Sequence, residues 1–314
     1  MNSIEIIKSG IYLPKHRIKS NELENKLELE KEYIYKRTGI QERYYAKDET
    51  IEELAQKSVE NLINKFDKEE KEKIFKQIDL IIVATTSSSS LMPGISNEIQ
   101  KKLEIKKCIC LDILAGCSGY INAIDIAQLY LSTNRANKAL VVGVDKLSAY
   151  TDKKDIGTSI ILSDGAGVLL LERTVKNKKY ISNINAEIDE NRILTCKINE
   201  KIQMNGKEIY KYAVTNTIEN IKELLKKSEE KIENVKYIIP HQSNSKIMKS
   251  IDTRLKLEKD KMFTNIKYTG NTFCASIPIA LNEMLEKKML SKGDKVILLG
   301  YGGGLNTGSI LLEI

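Results

Sequence analysis

The segment Cys108-Ile109-Cys110-Leu111-Asp112-Ile113-Leu114-Ala115-Gly116-Cys117-Ser118-Gly119-Tyr120 decides the fold. Its apolar start reads as a buried strand, its small residues as a turn, and the periodic stretch from Tyr120 to Leu131 as a helix. Strand, turn and helix make one unit of an α/β sheet that is covered on both faces. The same arrangement sets the Cys117 thiol at the positive end of a helix, where thiolate is favoured over thiol. Small residues at such a turn also serve close packing, and free cysteines are commonly inert. The rest of the chain has to decide between the two roles.

Working outward, the second half echoes the first. Asp79 to Thr86 resembles Val235 to Gln242, a short buried strand running into a polar turn. Cys110 to Leu131 resembles Phe263 to Leu285, Ala139 to Gly143 resembles Val296 to Gly300, and Gly165 to Leu171 resembles Gly308 to Leu312. The order is the same in both halves, so the chain reads as two fused α/β halves about a pseudo-two-fold axis. The expected division is an N-terminal half over 1–172, with a helical insertion at about 15–77, a connecting segment over 173–208 and a C-terminal half over 209–314. Functional groups of open α/β sheets collect where strand ends meet helix starts. The duplication brings three such ends into register: Cys117, His241 and Asn271.

The bulk composition narrows the classes. A chain of 314 residues can bury a large core and hold two halves. No run approaches the ~20 apolar residues of a membrane span, and the N-terminus lacks a signal core. Five cysteines without a Cys-x-x-Cys pair argue against a disulfide framework or a zinc site and for a reducing, cytoplasmic setting. The formal charge of +7 suits an acidic partner, while no nucleic-acid recognition module is visible.

Only two histidines are present. His16 lies in a basic loop and reads as a surface residue, which leaves His241 as the base. Cys, His and Asn together fit two reactions. In a hydrolase, Asn orients His and His activates Cys for acyl transfer to water. In a condensing enzyme, His and Asn both donate to a thioester carbonyl and stabilise the enolate formed as CO2 leaves. The glycine cluster Tyr301-Gly302-Gly303-Gly304-Leu305-Asn306-Thr307-Gly308 lacks the Lys and Ser/Thr of a phosphate loop. Beside a reactive thiol it can present a backbone N–H to an acyl oxygen, with the Cys117 N–H as second donor.

Six motifs in order carry a family resemblance: Arg37 to Arg43, Ala115 to Gly119, Gly165 to Gly167, Pro240 to Asn244, Gly270 to Ser276 and Gly302 to Gly304. Over essentially its whole length the chain resembles a β-ketoacyl-acyl-carrier-protein synthase III, a condensing enzyme of the thiolase superfamily. The resemblance implies a five-layer αβαβα fold, a homodimer and no cofactor. It implies that Cys117 accepts an acyl group, usually from acyl-CoA. His241 and Asn271 would promote decarboxylation of malonyl-acyl-carrier-protein, and Gly303 would complete the oxyanion hole. Met92 matches a residue that reaches across the dimer, and Tyr33, Arg37, Ile156 and Gly206 match substrate-binding positions.

Two departures concern the donor. Tyr33 stands where relatives that use acetyl-CoA carry a tryptophan against the adenine, and Ile156 stands where they carry an arginine. The resemblance therefore implies altered CoA recognition, with a non-acetyl or carrier-bound donor. Lys246, Lys249, Arg254 and Lys256, on a helix after His241, are the expected docking face for an acidic acyl carrier protein. An acyltransferase serving an alcohol or amine is the alternative, and a silent scaffold is disfavoured by the complete Cys-His-Asn set.

Overall fold

The structure, a computed structural model, describes residues 3–314. The first half runs β1 (Ser3–Tyr12), β2 (Arg17–Lys19), α1 (Ser20–Lys26), α2 (Tyr33–Thr38), β3 (Glu42–Tyr44), α3 (Ile51–Ile63) and α4 (Lys68–Phe75). It continues through β4 (Ile78–Ala84), α5 (Ile95–Lys102), β5 (Ile109–Ile113), α6 (Gly119–Ser132), β6 (Lys138–Asp145), α7 (Ile156–Ser159) and β7 (Gly165–Thr174). Next come β8 (Tyr180–Ala186), β9 (Leu194–Thr195), β10 (Gln203–Met204), α8 (Gly206–Ser228), β11 (Tyr237–Pro240) and α9 (Ser245–Leu255). The chain ends with α10 (Ile266–Thr269), α11 (Ser276–Glu286), β12 (Lys295–Gly302) and β13 (Asn306–Glu313).

Two sheets form the frame. The first has the order β1-β7-β6-β4-β5, with β4 parallel to both β5 and β6 and with β7 antiparallel to its neighbours. The second has the order β11-β12-β13-β8, with β11 parallel to β12 and β13 antiparallel to its neighbours. Element by element, β8, β13, β12 and β11 repeat β1, β7, β6 and β4.

This corrects two expectations. Residues 173–208 are more than a connection, because Tyr180–Ala186 is an edge strand paired to β13, and its apolar residues Ile181 and Ile184 pack on opposite faces of the sheet. Similarly, α3 of the 15–77 segment packs on β1 and β7 as an outer helix, the place that α8 takes on the second sheet. The counterpart of β5 near Phe263 is reduced to one bridge between Met262 and Ile238. The Asn265 and Ile266 amides bond the side-chain oxygen of Gln242 instead of extending a strand.

Strand pleating builds the layers. Along β6, Ala139 and Val141 face the centre, while Leu140, Val142 and Val144 face outward. Along β12, Val296 and Leu298 face the centre, while Ile297 and Leu299 face outward. Both faces are covered, so these strands are apolar at nearly every position. The central layer is α6 and α11, whose Ile121, Ile124, Leu131, Ile277, Leu281 and Met284 lie between the sheets. Outer layers are α3 and α5 on the first sheet and α8 and α9 on the second. Each fully buried Leu or Ile contributes about 1.5–3 kcal/mol, so the three apolar clusters between these layers dominate the stability. The result is the expected αβαβα arrangement. Among the described residues no helix is long and apolar enough to cross a membrane.

Candidate active site

Cys117 lies in a 3-10 turn, Gly116–Ser118, between β5 and α6. Two glycines let the halves meet there. Gly116 has φ +59, and a Cβ on it would fall 2.3 Å from the Gly303 carbonyl oxygen. A Cβ on Gly302 would fall 2.6 Å from the Cys117 Cβ and 2.8 Å from its sulfur. The end of β12 is thus pressed against the thiol.

Cys117 is 4 % exposed, and burial pushes its thiol up to about 12. The Gly303 N–H donates toward the sulfur and opposes the rise, the Asp145 charge adds to it, and the Cys117 N–H opposes it. The expectation of a thiolate held by the helix end is overturned. A helix terminus contributes about 0.3–1 kcal/mol, which is less than the lost hydration of a buried anion. Burial thus favours the thiol over the thiolate, and two main-chain donors aimed at the sulfur oppose it.

His241 follows β11, its N–H bonded to the Leu299 carbonyl at 2.7 Å. It is 2 % exposed, and burial lowers the imidazole to about 3, so the ring is neutral. Its Nδ1 lies 2.7 Å from the Ser276 hydroxyl at the start of α11. The Gln242 N–H donates to the same oxygen at 3.4 Å. A Ser276 hydroxyl donating to Nδ1 goes with the ring proton on Nε2, the opposite side of the ring. Tyr301 and Phe273 stand edge-on to the ring, with centroids at 5.4 and 6.3 Å.

Asn271 is fastened to the first half by main-chain bonds, its N–H to the Ile161 carbonyl at 3.0 Å and its carbonyl from the Ser163 N–H at 2.9 Å. Its Oδ1 accepts the Phe273 N–H at 3.1 Å, so the carboxamide nitrogen is the end left to donate. Phe273 packs with Cys117, Leu147, Leu162 and Ile202. It therefore ties the three expected residues together, touching His241 by its ring and Asn271 by its amide. Ser276, Phe273 and Tyr301 were not singled out from the sequence. The polar Ser276 at the head of an apolar helix was the one available signal.

A cavity of about 460 Å³ opens from Cys117, walled by Leu114, Leu147, Leu194, Ile198, Ile202 and Phe273. Tyr33, Arg37, Ile156 and Gly206 are not among its walls. On α2 the Arg37 guanidinium stacks on the Tyr33 ring at 4.8 Å, Ile156 opens α7 half-exposed, and Gly206 opens α8. Met92 is 82 % exposed and stands off the cavity of its own chain. Lys246, Lys249 and Arg254 are exposed on α9, with Lys256 just past its end. Among the described residues no three His, Cys, Asp or Glu side chains cluster as a metal site requires.

Two family models match the chain, 3-oxoacyl-[acyl-carrier-protein] synthase III over residues 111–189 and its C-terminal counterpart over 225–314. Among curated proteins, the chain is 34% identical to the β-ketoacyl-[acyl-carrier-protein] synthase III of Clostridium acetobutylicum, covering 100% of this chain and 99% of that one. It is 36% identical to the enzyme of the same name from Clostridium botulinum, covering 99% of each. A crystal structure of 3-oxoacyl-[acyl-carrier-protein] synthase III from Aquifex aeolicus superposes with a TM-score of 0.93 at 35% identity, covering 99% of this chain and 100% of that one. The chain belongs to the 3-oxoacyl-[acyl-carrier-protein] synthase III family of acyl-transferring condensing enzymes.

Proposed function

We propose that this protein joins an acyl thioester to malonyl-acyl-carrier-protein with loss of CO2, giving a 3-oxoacyl product. The Cys117 thiol attacks the donor carbonyl and passes its proton to the departing donor thiolate. The donor thiol leaves and the acyl group stays on sulfur. In the second step the bond between the malonyl methylene carbon and its carboxylate carbon breaks, CO2 leaves, the electron pair forms the thioester enolate, and the enolate carbon attacks the acyl-cysteine carbonyl. Cysteine thiolate departs and takes up a proton from solvent. His241 Nε2–H and the Asn271 carboxamide donate to the malonyl thioester oxygen, while the Gly303 and Cys117 N–H groups hold the acyl oxygen.

The observation that carries this reading is the pair of donors. Ser276 on Nδ1 leaves His241 a donor at Nε2, and Phe273 on Oδ1 leaves Asn271 a donor at Nδ2. Two neutral donors suit a developing enolate better than a base that must take a proton from water. The test is mass spectrometry for acyl mass on Cys117, followed by CO2 release from malonyl carrier protein. Normal acylation without any use of malonyl carrier protein would instead mark transfer to an alcohol or amine.

A homodimer, cytoplasmic location and acidic carrier partner belong to the same proposal. Among the described residues no strand pairs with the outer edge of β5, and Leu91, Met92 and Leu114 are exposed, which favours a second copy pairing there. The cations of α9 suit the acidic carrier. No metal or organic cofactor takes part in this chemistry.

A further inference from the structure

Asp145, the last residue of β6, is wholly buried. Its Oδ1 accepts the Thr86 N–H at 2.7 Å, the Thr86 and Ser87 hydroxyls at 2.8 Å and the Thr85 hydroxyl at 3.2 Å. Its Oδ2 accepts the Cys274 N–H at 2.9 Å. Among the described residues no cation forms an ion pair with it; every donor is neutral. Burying a carboxylate without a countercharge costs several kcal/mol unless neutral donors replace its hydration. Five donors converging on one side chain meet that need, and they come from both halves of the molecule.

Both ends of this contact reach the active site. Thr85 and Thr86 wall the Cys117 cavity. Cys274 belongs to the turn that begins at Asn271, where the preceding amide, that of Phe273, bonds the Asn271 side chain. The Cys274 thiol also donates to the Gly116 carbonyl at 3.2 Å, one residue before Cys117.

We propose that Asp145 is a positioning residue for the condensation: its carboxylate locks the turn carrying Asn271 and Phe273 onto the wall of the Cys117 cavity and so fixes where Asn271 presents its donor. This deepens the condensing reading and rests on it. The titratable groups around Asp145 are Cys117 before α6, Cys274 before α11 and Tyr150 after β6; burial raises all three, and the Asp145 charge adds to the rise.

The discriminating variant is Asp145→Asn in the full-length enzyme. The hydroxyls of Thr85, Thr86 and Ser87 can rotate to accept from an amide, but the Thr86 and Cys274 main-chain N–H groups cannot. The amide nitrogen must therefore face one of them. CO2 release from malonyl carrier protein is expected to fall about 10–100-fold, the scale of a misplaced reacting group, with Cys117 acylation falling much less. The pH profile of Cys117 alkylation should move to lower pH, because a nearby negative charge is gone. A folded variant with unchanged CO2 release, or with both steps lowered equally and the alkylation profile unmoved, overturns the proposal.

Should Asp145→Asn fail to fold, Ser87→Ala removes one neutral donor and keeps both main-chain contacts. The acid limb of CO2 release should then rise in pH, as the carboxylate protonates more readily; an unmoved limb overturns the proposal. In the same assay Asn271→Ala examines the underlying reading by itself. If that variant releases CO2 as fast as the unaltered enzyme, the condensing role of Asn271 fails whatever Asp145 does.

Discussion

The Ser276 hydroxyl lies 2.7 Å from Nδ1 of His241, and it joins the start of α11 to the end of β11 across the second half. When the hydroxyl donates to Nδ1, the ring proton sits on Nε2. A histidine so held donates from Nε2, as an enolate needs.

Ser276→Ala should therefore damage the second step more than the first. We expect CO2 release to fall about 10–100-fold, as is usual when a partner orienting a functional histidine is lost, with acyl-Cys117 still forming. The lost bond should also lower stability by about 1–3 kcal/mol. Single-turnover acylation beside a CO2 assay separates the two effects; equal loss in both would refute the tautomer assignment.

The buried ring also predicts acid sensitivity. Above pH 6.5 His241 is neutral in both folded and unfolded chains. Between 6.5 and about 3 the unfolded chain takes up a proton that the folded ring refuses, so stability falls as pH drops through that window. His241→Gln should flatten this fall, measured as urea midpoints from pH 7 to pH 4. An unchanged slope would show that the ring is not held neutral.

At the alkaline end the sign reverses. The unfolded Cys117 thiol ionises near 9.0 and the folded one near about 12, so Cys117 withdraws stability as pH rises above 9.0. Alkylation of the free enzyme should keep accelerating past pH 9 without reaching a plateau. A plateau near neutral pH would mean a thiolate is present at rest.

Donor recognition can be probed at Ile156, which is half-exposed at the start of α7 and offers no cation. Ile156→Arg should tighten acyl-CoA binding several-fold, by about 0.5–1 kcal/mol for an exposed cation–π contact with a base. Carrier-bound donors should be unaffected. KM for each donor reads the difference, and equal change for both would remove CoA from the explanation.

Chain length can be probed from the cavity side. Leu194→Trp would fill part of the 460 Å³ space beside Ile198 and Ile202. Longer acyl donors should lose about 1–3 kcal/mol of binding from overpacking, while acetyl donors should be nearly unaffected. A panel of acyl chain lengths measures this, and a uniform loss would place the acyl chain elsewhere.

Much of the frame was legible from residues alone. Runs such as Ala139 to Val144 and Val296 to Leu299 are apolar on both faces, and only strands covered by helices on both sides call for that pattern. The repeat of those runs in one order brought Cys117, His241 and Asn271 forward as equivalent strand ends. The edge strand Tyr180–Ala186 escaped because Ser182, Asn183 and Asn185 interrupt its apolar pattern, and the fifth strand near Phe263 failed because Gln242 takes its amides.

The chemistry of the site could not be read this way. Cys117 looked like a thiolate at a helix end, whereas in place it is a buried thiol, because desolvation depends on how many layers close over it. Ser276, Phe273 and Asp145 gained their roles through contacts spanning 35 to 129 residues, or through packing in one small cluster. Periodicity and spacing set which side chains stand at strand ends, since those follow from local backbone geometry. Protonation and the surroundings of the His241 ring were decided only by the tertiary fold, because burial depends on neighbours distant along the chain.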